Sequence, residues 1–183
     1  LLCMVQAIGL TAADTSEVLV AAAPGAAFLQ GEALEFTLKQ PVVPPVEWTL
    51  RNWRNEVLRR ESSNGGKLLL PPLPNGYYRL ELSGFTGSRS FAVVPDPGNR
   101  PADPDLFFAM DSAQSWLARP DNNPRRPENA FEVVSEVARR SGVQMVRDRM
   151  SWAETNPAPG RYEWTYYKTN AELLAKRGIA LSG

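Results

Sequence analysis

Short segments with apolar residues at every second position, such as 34–38 and 77–82, are parted by turn signals up to about Val94, and four prolines fall within residues 95–104. Beyond them, continuous apolar runs alternate with helical stretches as far as Gly183. Together these predict a multidomain β + α/β chain. An immunoglobulin-like β-sandwich is expected over residues 14–97 and a Pro-rich linker over 98–105. Residues 106–183 are expected to form the first two βα units and third strand of a truncated (β/α)8 barrel. Two strand-helix units cannot close an eight-stranded barrel, which takes about 250 residues. The chain is therefore expected to be the leading part of a larger protein.

Each element has its own warrant. Residues 1–10, Leu1-Leu2-Cys3-Met4-Val5-Gln6-Ala7-Ile8-Gly9-Leu10, are apolar but too few to span a bilayer, and Thr11 and Ala13 are small. Residues 1–13 read as the end of a secretory signal cleaved before Asp14, which implies a secreted, extracellular or periplasmic protein. The alternative is an apolar first strand. With the signal removed no cysteine remains, so no disulfide is expected.

In the β region, Leu34-Glu35-Phe36-Thr37-Leu38 and Tyr77-Tyr78-Arg79-Leu80-Glu81-Leu82 place apolar side chains on one face. Residues 47–51, 56–60, 67–70 and 90–94 are further strands, parted by turn signals at Gly25, 64–66, 75–76 and Gly84. Pro41, Pro44, Pro45, Pro71, Pro72 and Pro74 belong to edges and connections, because proline lacks the donor that a strand ladder needs. Trp48 and Trp53 are expected in the core; stacking on a sugar is the alternative.

After the linker, Leu106-Phe107-Phe108-Ala109-Met110 reads as a strand buried on both faces. Residues 128–140 read as a helix with Pro127 in the first turn, Phe131, Val134, Val137 and Ala138 inward, and Gly142 as its stop. Residues 143–150 are the second strand, 167–177 the second helix with Ala171 and Leu174 inward, and 179–183 the third strand.

Composition narrows the function. Lys plus Arg equals Asp plus Glu at 20 each, so no global field favours nucleic acid. Histidine is absent, which removes Ser-His-Asp and Cys-His nucleophile systems and His-based metal sites from this chain. No metal or cofactor is implied, and the oligomeric state is left open.

Two strand-to-helix connections are longer than packing requires, and in such barrels these loops build the active face. The first carries Asp111, Trp116, Arg119, Asp121, Asn122, Asn123, Arg125 and Arg126; the second carries Trp152, Glu154, Tyr162 and Trp164. Aromatic faces beside carboxylates and amides suit a sugar, with its C–H patches and hydroxyls.

The segment Gly142-Val143-Gln144-Met145-Val146-Arg147-Asp148-Arg149-Met150-Ser151-Trp152 is followed by Glu154, Pro157, Pro159-Gly160, Tyr162 and Trp164. It resembles the second-strand region of clan A glycoside hydrolases, of the family 39, 42 and 5 kind. The resemblance spans residues 106–183 and implies a retaining two-carboxylate hydrolysis of O-glycosidic bonds in polysaccharides, oligosaccharides or glycoconjugates. It places Arg147 where the clan has an arginine beside its nucleophile. The clan's acid/base and nucleophile glutamates follow the fourth and seventh strands, so none of this chain's residues is expected to be catalytic. Alternation puts Arg147 and Arg149 on one face and Asp148 toward the helices, while Glu154 is expected in a solvent-facing or turn-capping role. The expected substrate-binding residues are Arg147, Asp111, Trp116, Trp152 and Arg149; for Arg147 a structural pairing with Asp111 or Asp148 is the alternative. The competing function is a non-catalytic carbohydrate-binding or adhesion sandwich.

Overall fold

The computed structural model describes residues 13–39, 45–98, 109–117 and 129–182. The chain divides into two units, one drawn from Leu1–Ala26 and Glu32–Val93, the other from Ala27–Gly31 and Val94–Gly183. The expected signal (except Ala13), most of the linker, Leu106–Phe108 and the stretch from Arg119 to Arg126 lie outside the described residues.

The first unit is antiparallel β. It opens with α1 (Thr15–Val18), followed by β1 (Leu19–Ala21); β2 (Ala27–Leu29) groups with the second unit. Then come β3 (Leu34–Leu38), β4 (Val46–Asn52), β5 (Val57–Ser63), β6 (Lys67–Leu70), β7 (Gly76–Leu82) and β8 (Arg89–Val94). One sheet has the order β1-β3-β6, and in the larger one β8, β7, β4 and β5 lie side by side in that order. The alternation seen in the sequence becomes burial. Leu34, Phe36 and Leu38 turn inward from the small sheet, as do Trp48, Leu50, Tyr78, Leu80, Leu82 and Phe91 from the large one. The sheets meet at Phe36 and Phe91, whose rings stand 5.1 Å apart at 68°, and Tyr78 stacks on Phe91 at 5.4 Å. Such edge and offset contacts add to the burial of apolar area. Burial raises the Tyr78 phenol above its ordinary pKa, and its hydroxyl donates to the Pro74 carbonyl at 2.7 Å.

Two expectations need correction here. The strand expected over 56–60 begins at Val57 and runs on to Ser63, and Trp53 is not core: it is 66% exposed, while Trp48 is 5% exposed. Trp53 falls in the turn between β4 and β5, where strand alternation ends. The Asn52 side chain there accepts from the Arg54 and Glu56 amides, and the Arg54 guanidinium sits 4.8 Å from the indole. Along β5 all residues but Ser63 are exposed, and its charged Arg59, Arg60 and Glu61 are the kind that discourage edge-to-edge pairing.

The start of the unit is tied down locally. Asp14 caps α1 by accepting from the Ser16 amide at 2.7 Å and hydroxyl at 2.6 Å, which lowers its pKa. The Asp14 carboxylate lies where a side chain on Gly87 would go, and Gly87 has φ +65°. Gly87→Ala is therefore expected to cost about 1–3 kcal/mol, from both left-handed strain and displacement of the cap. A melting temperature equal to that of the parent chain would overturn this.

The second unit has β9 (Met110–Asp111), α2 (Gln114–Leu117), α3 (Ala130–Arg140), β10 (Met145–Arg147), α4 (Trp152–Thr155), α5 (Thr165–Lys176) and β11 (Ala180–Ser182). The three strands are parallel and adjacent in chain order, β9-β10-β11. Val146 on the central strand packs with Ala138, Leu174 and Ile179, and Val143 adds to the cluster. Both long helices stop at glycines as expected. Gly142 (φ +73°) and Gly178 (φ +69°) take the left-handed cap position, and Val143 and Ile179 donate back to Ala138 and Leu174 at 3.1 and 2.9 Å.

Other details differ from the sequence reading. The second strand is shorter than 143–150, because its neighbours β9 and β11 pair with it only over Met145–Arg147. On α3 the buried residues are Ala130, Ser135 and Ala138, and Phe131 is half-buried against Tyr166 at 6.2 Å. On α5 Tyr167, Asn170 and Leu174 are buried, with Ala171 at their margin. Among the described residues, no helix is long and apolar enough to cross a membrane.

Candidate functional site

The C-terminal ends of the parallel strands gather the charged residues. Asp111 ends β9 opposite Arg147, which ends β10, and Ser182 of β11 lies opposite Arg147 on the other side. Arg149 reaches the same carboxylate with two nitrogens, Nε to Oδ1 at 3.1 Å and Nη2 to Oδ2 at 2.7 Å. Arg147 Nη1 donates to Oδ2 at 3.2 Å. The paired donors of Arg149 are the stronger contact, since a planar fork matches a carboxylate. Hydrogen bonding and charge from Arg149, then Arg147, hold Asp111 below the usual carboxylate pKa, and Asp111 in turn raises that of Arg149.

Alternation places the rest. Val146 and Asp148 are buried, whereas Arg147 and Arg149 are exposed on the other face. Asp148 faces the helices: it accepts from Ser115 of α2 and from Asn170 Nδ2 of α5 at 2.8 Å. Trp116 on α2 and Trp152 at the start of α4 are 46% and 70% exposed, in the connections that leave β9 and β10. Asp111, Arg147 and Arg149 thus form one ion-paired cluster, and a tryptophan follows in the connection after each of their two strands.

The second connection is folded on itself. Gly160 (φ +75°) makes its turn, Ala158 and Arg161 form a β-bridge, and the Glu163 amide donates to the Thr155 carbonyl at 2.9 Å. Tyr162 and Trp164 then hold nearly parallel rings, 8° apart with centroids 6.4 Å apart, while Arg161 and Glu163 pair at 2.8 Å. Tyr167, which sequence reasoning did not single out as polar, accepts from the Ser151 amide at 2.8 Å and lies 3.3 Å from Glu154 Oε2. Glu154 therefore lies at a turn contact, not in the arginine cluster. Ser115 and Asn170 were missed altogether, since nothing in helical spacing marks a serine or asparagine as partner to a residue so distant in sequence.

This arrangement can bind and orient. Asp111 has both oxygens engaged by arginine, and Asp148 lies on the opposite face, so the two cannot flank one bond as a hydrolytic pair must. Among the described residues no cluster of three potential metal ligands occurs.

No family model and no curated protein matches the chain. Among solved structures it is similar to a family 39 glycoside hydrolase from the gut symbiont Bacteroides cellulosilyticus WH2. The TM-score is 0.59 and the identity 18%, over 85% of this chain and 31% of that one. A Faecalibacterium prausnitzii beta-glucuronidase superposes at TM-score 0.39 and 13% identity, over 93% of this chain and 27% of that one, too loosely to carry an argument. The chain thus spans less than a third of either solved protein, and its likeness to the first is one of fold.

Proposed function

We propose that the chain is the leading part of a secreted glycoside hydrolase in which an immunoglobulin-like accessory domain precedes a (β/α)8 barrel. The observation that carries this reading is the exposed Asp111–Arg147–Arg149 cluster at the C-terminal ends of adjacent parallel strands. In such barrels that end bears the active site. The fold likeness to a family 39 glycosidase supports it.

In this reading Arg147 and Arg149, with Asp111 holding them, face a carbohydrate, and Trp116 and Trp152 offer it apolar faces. The catalytic carboxylates belong to later strands and act as a retaining pair. Arg147 lies beside the nucleophile and keeps it ionised, because a neighbouring guanidinium lowers a carboxyl pKa. The 183-residue chain alone is then expected to be inactive. Hydrolysis of aryl glycosides by the longer protein and not by the isolated chain is the expected result; turnover by the isolated chain would sink the assignment of catalysis to later strands.

One observation favours a second reading, a non-catalytic carbohydrate-binding module: Trp53 stands exposed on a turn at the end of β4. If the first unit binds glycans, Trp53→Ala should abolish binding and, as a surface change, shift stability by less than about 0.5 kcal/mol. Unchanged glycan binding in that variant would remove Trp53 as the contact.

A further inference from the structure

Asp148 is 3% exposed, and among the described residues it forms no ion pair. A carboxylate cannot be held there without donors, since burying an unpaired charge costs far more than a typical domain can supply. Its donors come from three segments. The Ser115 amide lies 3.2 and 3.3 Å from its two oxygens, and the Ser115 hydroxyl donates to Oδ2. Asn170 Nδ2 donates to Oδ2 at 2.8 Å and the Arg149 amide to Oδ1 at 3.0 Å. Ser115 and Asn170 are themselves fully buried.

Helix α2 explains why this partner is needed. Its described residues, Gln114–Leu117, make a single turn, which is not stable alone. Ala113 precedes it with φ +45° and has no side chain to accept from the first-turn amides. Asp148, 33 residues away in sequence, takes the Ser115 amide in place of a local cap. Trp116 is the next residue along α2, and Arg147 and Arg149 are the neighbours of Asp148 on the chain, projecting to the opposite face.

We propose that Asp148 is a positioning residue, its buried carboxylate holding the Trp116 helix and the Arg147–Arg149 strand end in fixed relation. For catalysis this rests on the glycosidase reading; the positioning itself does not.

The test is fluorine NMR of this chain labelled with 5-fluorotryptophan, its five signals assigned by single Trp→Phe changes. Asp148→Asn keeps the side-chain size but turns an N–H group toward donors. The Trp116 signal is expected to shift and broaden while those of Trp48 and Trp53 stay in place. Ser115→Ala removes only the hydroxyl donor and should move the same signal by less. If Asp148→Asn does not fold, Ser115→Ala decides. A Trp116 signal unmoved in Ser115→Ala, or in a folded Asp148→Asn, overturns the proposal. A displaced Trp116 supports it even where the longer protein hydrolyses no glycoside, so failure of the functional reading stays distinguishable.

Discussion

In the glycosidase proposed above, replacing Arg147 with alanine is expected to lower kcat/KM roughly 10²–10³-fold, the usual loss when a preorganised charged donor leaves an active site. In that reading the loss should fall mainly on kcat, because the arginine acts on the reacting carboxylate. Arg147 makes one contact of 3.2 Å to Asp111, whereas Arg149 makes two shorter ones. Asp111 therefore stays anchored by Arg149 when Arg147 is removed, and in the proposed reading what is lost is the guanidinium beside the nucleophile. Arg147→Lys keeps the charge without the planar fork and should recover only part of the rate. A kcat/KM within about twofold of the parent in Arg147→Ala, in place of that 10²–10³-fold loss, would mean that the arginine serves the Asp111 pair alone.

The largest expected effect on stability comes from Glu136. Its carboxylate accepts from Arg139 Nη2 at 2.6 Å, Arg140 Nε at 3.0 Å and Arg177 Nε at 3.2 Å. Arg177 also bonds Glu132, so α3 and the end of α5 are joined through one anion. Hydrogen bonding to Arg139, with the other guanidiniums assisting, pulls the Glu136 carboxyl from 4.5 to about 2. Its side chain is 18% exposed, so screening is partial. The shift corresponds to on the order of 3 kcal/mol. Because the folded-state value is depressed, this contribution is fully present above about pH 4.5 and is lost as pH falls toward about 2. Glu136→Gln should therefore lower stability by about 2–3 kcal/mol at neutral pH. The gap from the parent should close as pH falls below about 4.5. Denaturant melts of the two proteins across that range check it, and a gap independent of pH would refute the assignment.

Much of this was legible in the sequence because it depends on periodicity and on single residues with backbone consequences. Leu34–Leu38 and Gly76–Leu82 bury alternate side chains because a strand exposes its two faces alternately. The stops at Gly142 and Gly178 follow from the left-handed cap that glycine alone takes cheaply. Arg147 and Arg149 could be placed on one face by counting. Strand β1 could not be foreseen, since Leu19-Val20-Ala21 sits in a uniformly apolar run whose period is unreadable.

What the sequence by itself determined was a run of alternating strands, a change of periodicity after the prolines, and two arginines on the same side of a strand. These are local properties, set by bond geometry and by which residues share a face. Only the tertiary structure decided that Asp111 of β9 binds both arginines, that Asp148 caps a helix it is far from in sequence, that Glu136 gathers three guanidiniums, and that Trp53 stands in solvent. Each of these turns on which segments meet in space. A polar side chain finds its partner by position across the fold, where hydrophobic pattern carries no information.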